Sequence, residues 1–172
     1  ILRSTDLRDS MDEQCIADIA GCIIKGELIE RSKDSLDEVY EKGSNLSEQI
    51  LSALEVYGRN KFTDDFKYCI EVVLTICNAD EKEKLRDIIF KKRTTNAFPS
   101  VFAIIFIAIH ELIVRGGKKL ADPVSAKAAI RNIVERIETG RQATSVEERR
   151  RNINTVKGQL DSCFETADIS AI

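Results

Sequence analysis

Between Phe98 and Val114 the chain reads FPSVFAIIFIAIHELIV, with nine consecutive apolar residues from Val101 to Ile109. A helix that is apolar on every side has no face to turn to water, so it must lie inside a protein core or a bilayer. A bilayer span asks for about 20 predominantly apolar residues. Val101–Val114 is shorter than that, and His110, Glu111 and Arg115 interrupt it. The expectation is a central buried helix over about 98–115, with no membrane partner.

The flanking segments then have to supply one-sided helices that wrap this centre, and helical periodicity is what they carry. Asp12 to Lys25 sets Cys15, Ile16, Ile19, Ala20, Cys22 and Ile23 close to one stripe, with Gly26 as the stop. Asp34 or Ser35 reads as the cap of a second helix presenting Leu36, Val39 and Tyr40, and Gly43-Ser44-Asn45 reads as a break. Leu46 to Tyr57 follows and ends at Gly58. Thr63 or Asp64 reads as the cap of the next helix, with Phe66, Cys69, Ile70, Val73, Leu74 and Cys77 apolar and Asn78 at its end. Lys82 to Phe90 is a short helix. Asn96 reads as the cap of the central helix, Pro99 fits its first turn, and Gly116-Gly117 closes it.

Asp122-Pro123 is a start signal for a helix to Glu138. For the last helix, Thr144 with Glu147 or Ser145 with Glu148 fits a capping box. No alternating strand pattern of useful length appears. The expected architecture is all-α, seven or eight helices around the central one, in a single domain spanning 1–172.

A chain of 172 residues, 43% apolar and 32% charged, has enough apolar surface for a real core and is not of disordered composition. Its net charge of −3 gives no global attraction to nucleic acid, so any phosphate contact must come from a local patch. Two basic clusters exist: Lys91, Lys92 and Arg93, and Arg141 with Arg149, Arg150 and Arg151; Lys118 and Lys119 extend either. Lys91, Lys92, Arg93, Arg149, Arg150 and Arg151 are the candidates for contact with DNA phosphates. The competing reading is an ordinary solvated face, because Glu147 and Glu148 stand beside the arginines. Few aromatics accompany them, which speaks against a base-stacking platform.

Catalytic patterns are weak. The five cysteines are odd in number, have no CxxC pair and mostly fall within apolar helical patterns, as reduced core thiols of a cytoplasmic protein would. His110 is the one histidine, and His110-Glu111 is not a zinc motif because position 114 is Val. Gly116-Gly117-Lys118-Lys119 lacks the spacing and the preceding strand of a phosphate loop. No cofactor, metal or catalytic residue is assigned.

Three stretches resemble a known family. Arg8-Asp9-Ser10-Met11-Asp12 through Ala17-Asp18-Ile19, then Gly26, Leu36-Asp37 and Tyr40, form the first. Phe90 to Phe98, with Arg93 and Asn96, form the second. Thr144-Ser145 followed by Arg149 to Val156 form the third. Together they resemble the helical carboxy-terminal half of the bacterial DGQQR-motif, ParB-like nuclease/NTPase proteins, which include GmrSD-type restriction enzymes and other anti-phage proteins. The resemblance implies an accessory helical domain of a DNA-processing or phage-defence protein, supporting DNA engagement or subunit association. It carries over no catalytic residue, since neither an Asp-Gly-Gln run nor the family's HNH-type nuclease domain occurs in these residues.

A first residue of Ile1 fits a chain that begins inside a longer polypeptide. Its own amino-terminal domain, a protein partner or a second copy are then the expected associates, besides DNA. The alternative is a helical protein–protein interaction or regulatory module with no nucleic-acid role, which an exposed apolar patch would mark.

Overall fold

The computed structural model describes residues 11–90, 97–131, 133–138 and 144–167. Among them the chain is all-α, with eight helices: α1 (Met11–Lys25), α2 (Lys33–Tyr40), α3 (Asn45–Tyr57), α4 (Arg59–Asn78), α5 (Leu85–Ile89), α6 (Phe98–His110), α7 (Pro123–Arg131) and α8 (Val146–Leu160).

The apolar run forms α6 and sits at the centre. Every residue from Val101 to His110 is buried, because α1 and α8 pack along its length and α4 covers a third side. By composition Phe98–Arg115 is long and apolar enough to cross a membrane, yet 83% of it is enclosed by the rest of the protein. The neighbours contribute the stripes their periodicity implies. Cys15, Ile19, Cys22 and Ile23 come from α1, Cys69, Val73, Ile76 and Cys77 from α4, and Ile153, Val156 and Leu160 from α8, all in one cluster. Each such aliphatic side chain stabilises the fold by about 1.5–3 kcal/mol when fully buried. All five cysteines are free and buried within this cluster.

Aromatic rings thread the core. Phe90, at the end of α5, leads to Phe98, Phe102 and Phe106 along α6, Phe106 lies 4.8 Å from Phe66 on α4, and Phe62 continues the chain to Tyr57 at the end of α3. Adjacent rings meet at the tilted or edge-on geometries favoured by their quadrupoles, with one stacked pair, Phe98 and Phe102. The chain ties the middle of the central helix to the α3–α4 corner.

Several element ends differ from expectation. The cap of α2 is Ser32, whose hydroxyl accepts from the Ser35 amide at 3.1 Å, not Asp34 or Ser35. Helix α4 begins at Arg59, four residues before Thr63, because Gly58 at φ +89° serves α3 as its end and α4 as its start. Thr63 instead bonds back to the Arg59 carbonyl within the helix. The helix expected to reach Glu138 stops at Arg131 and is followed by a 3-10 turn over Ile133–Glu135. A small antiparallel sheet also forms, absent from the sequence reading. Lys118–Leu120 (β1) pairs with Phe164–Thr166 (β2), Lys119 facing Glu165. Asn96 lies outside the described residues; Gly116-Gly117 does end the central segment.

Candidate functional site

The three arginines of α8 do not share one face. Consecutive residues on a helix are turned about 100° apart, so Arg149, Arg150 and Arg151 face three directions. Arg149 is buried in the core, with 1% of its side chain exposed. Its two terminal nitrogens donate to both oxygens of Asp18 on α1, at 2.8 and 2.9 Å, and it also donates to the Ile29 carbonyl. A guanidinium held in this way is not available to a phosphate, which corrects the expectation for Arg149. Arg150 donates to Glu111 at 2.8 Å and Arg151 to Glu138 at 3.2 Å, so each is paired with a carboxylate. Lys91, Lys92, Arg93 and Arg141 lie outside the described residues. Lys118 and Lys119 pair with Asp161 and Glu165.

The polar centre of the molecule lies instead at the far end of α6. There the helix widens into one π turn, Glu111–Arg115, closed by the Gly116 amide donating to the Glu111 carbonyl at 2.9 Å. Turns of this kind occur often at functional sites. Gly116 is required by space: a Cβ there would stand 2.5 Å from the Leu112 carbonyl oxygen. Gly117 at φ +60° then turns the chain into β1.

His110 closes the α-helical part and is buried, with 4% exposed. Its Nε2 stands 3.3 Å from the Tyr57 hydroxyl, which lies 2.7 Å from Asp65 Oδ2, and Lys61 donates to the same Asp65 oxygen at 2.8 Å. Tyr57 has one proton, and the ionised carboxylate is the stronger acceptor. The hydroxyl therefore donates to Asp65 and accepts from His110, which fixes the proton of the neutral ring on Nε2. Burial pushes the His110 pKa down to about 4, against the opposing pull of Asp65. Burial and the bond to Asp65 hold the Tyr57 phenol well above its ordinary range. For Asp65, burial would raise the pKa, but the bonds from Lys61 and Tyr57 outweigh it and keep the carboxyl below the usual range.

Glu111 is also buried and faces the opposite way. It receives Arg150 and Lys157 from α8, at 2.8 and 3.0 Å, and these bonds outweigh the effect of burial and depress its pKa. Arg115 reaches back to the end of α1, donating to the Gly26 carbonyl at 2.8 Å, and lies 3.7 Å from Glu111. Beside His110 and Arg115 an open groove of about 390 Å³ runs along the surface. Ile23, Ile24 and Val114 form its apolar wall; Tyr57, Lys61, His110 and Arg115 supply the polar one. Sequence reasoning singled out His110 and the glycines but had no means of finding the groove, whose walls come from four separate helical segments.

Among the described residues, no three His, Cys, Asp or Glu side chains are gathered as a metal site would require. Another buried cation serves the fold. Lys127 on α7 donates to the Cys77, Ala79 and Glu81 carbonyls at the end of α4 and pairs with Glu83 at 2.8 Å. No family model, curated protein sequence or solved structure matches the chain.

Proposed function

We propose that the chain is a non-catalytic helical accessory domain of a ParB-like DNA-processing or phage-defence protein, acting through subunit association. One observation carries this reading. Two of the three family-like stretches, 131 residues apart, meet in the core through the bidentate Asp18–Arg149 pair. In the third stretch, Ser145 and Glu148 close a capping box that sets the start of the helix bearing Arg149. Asp18 and Arg149 thus hold two helices together and are buried away from any substrate. A supporting role is the function such residues serve.

Association is favoured over direct phosphate contact because Arg149 is buried and Arg150 and Arg151 each pair with a carboxylate. Exposed large apolar side chains include Tyr40 on α2, Leu51 and Val56 on α3, and Tyr68 and Leu74 on α4, besides Ile16, Val124 and Val146 elsewhere. Light scattering over a range of concentrations tests this. The expected result is a mass above the monomer that falls to monomer in Leu51→Glu/Val56→Glu. A monomer throughout removes self-association. A low-salt gel shift separates the second reading, a protein-interaction module with no nucleic-acid role. Retardation abolished by Lys91→Gln/Lys92→Gln/Arg93→Gln supports DNA engagement, and no retardation at all favours the module.

A further inference from the structure

The groove beside the π turn has a chemical character that the proposed role does not use. Behind the groove, and not part of its lining, Glu111 lies within ion-pair distance of three cations, Arg150, Lys157 and Arg115, of which Arg115 alone lines the groove. Arg150 and Lys157 already bond its two oxygens, so Arg115 at 3.7 Å adds positive charge without full compensation. Arg115 gives one Nη2 proton to the Gly26 carbonyl, its side chain is half exposed, and a guanidinium has five N–H donors. Its remaining donors are therefore open to the groove. Lys61, 62% exposed, stands at the same groove; its ammonium gives one of three protons to Asp65 at 2.8 Å, which leaves two. The opposite wall is aliphatic, made by Ile23, Ile24 and Val114. The floor is rigid, since His110 is fixed by Tyr57 and Tyr57 by Asp65. Binding pockets typically occupy about 300–1,000 Å³, mostly apolar, with a few placed polar groups. A groove of about 390 Å³ with this lining meets that description.

We propose that this groove is a binding site for a small amphipathic carboxylate, with its head on Arg115 and Lys61 and its alkyl chain along Ile23, Ile24 and Val114. An anionic head is specified by the uncompensated cation. A planar carboxylate matches the guanidinium fork. An apolar tail is specified by the aliphatic wall, which a fully hydrated anion would leave exposed.

Because His110 is the only histidine, its ring Cε1–H gives a single reporter signal in proton–carbon NMR. The experiment titrates the protein with octanoate, octanol and acetate below the micellar range and follows that signal. The expected result is a saturable shift with octanoate alone, weakened at least tenfold in Arg115→Gln and several-fold in Lys61→Gln. Both residues are at the surface, so neither variant endangers folding. The proposal is overturned by a linear or absent octanoate response, by octanol or acetate saturating as octanoate does, or by an unchanged affinity in Arg115→Gln.

Discussion

At the scale of single residues, buried charge decides most of what these side chains do. Asp18 and Arg149 are both removed from water and matched oxygen to nitrogen, and Arg31 approaches the same carboxylate at 3.3 Å. Breaking one partner of such a pair strands the other, which costs about 3–5 kcal/mol, whereas replacing both with apolar residues costs far less. Asp18→Asn should lower urea stability by about that amount. Asp18→Leu/Arg149→Met should recover most of it, since Arg31 is partly exposed and can turn to water. A double variant as unstable as the single one would contradict the argument.

His110 makes a second prediction. Its folded pKa, about 4, lies below the ordinary 6.5. Between those values the unfolded chain binds the proton and the folded one does not, so stability is full above about pH 6.5 and declines as pH falls toward 4. The loss is about 3 kcal/mol at 1.36 kcal/mol per unit. Asp65 and Glu111, both depressed, add their losses lower in pH, as their carboxylates protonate. His110→Gln retains a donor for Tyr57 and removes the titration. Denaturation series from pH 7 to 4 should therefore be markedly flatter for this variant.

At the scale of elements, local chemistry was legible and distant chemistry was not. The Ser145–Glu148 capping box and the Asp122-Pro123 start were readable because their bonds close within three residues, from Ser145 to the Glu148 amide and from Asp122 to the Ser125 amide. Ser145→Ala should cost about 1 kcal/mol in thermal or urea unfolding, the usual value of an N-cap. Arg149 and Lys127 were unreadable in the same way, since their partners lie 131 and about 50 residues off and sequence spacing records neither. Lys118–Leu120 is too short for an alternation to show. The π turn leaves almost no mark in the pattern, because one added residue in a turn barely disturbs an apolar run. Its requirement is visible only in Gly116. Gly116→Ala should cost at least about 2 kcal/mol, because the colliding atom is a backbone carbonyl that cannot rotate aside. Gly117→Ala meets no atom within 4 Å and bears only the left-handed backbone penalty, about 1 kcal/mol. Equal losses in the two variants would show that crowding at Gly116 is not what matters.

At the scale of the molecule, one apolar cluster joins α1, α4, α6 and α8, and the longest-range polar pair, Asp18 with Arg149, ties α1 to α8. The central helix made this much foreseeable: a helix apolar all round obliges its neighbours to share one core. What the run could not show is which neighbours, because α1 and α8 are brought together through contacts between opposite ends of the chain. Such a core should open as a unit, and the cysteines can report it. Cys15 and Cys22 sit on α1, Cys69 and Cys77 on α4, and Cys163 just before β2, all buried. Burial pushes Cys22 to about 11 and Cys69 to about 12, and raises Cys77 and Cys163 as well. In the native protein at pH 8 they are thus enclosed, and these four are also held as thiols, the unreactive form. Labelling by a disulfide reagent should be slow without denaturant. With rising urea, all five should become reactive with one common dependence, read peptide by peptide by mass spectrometry. Cys163 is the place where a separate step would show, because the sheet beside it has only three residues per strand. Its early labelling, with Cys15 and Cys69 still protected, would mean that the α8 end detaches before the core opens. In that case the Asp18–Arg149 pair, which joins α8 to α1, would not be coupling the two ends as described.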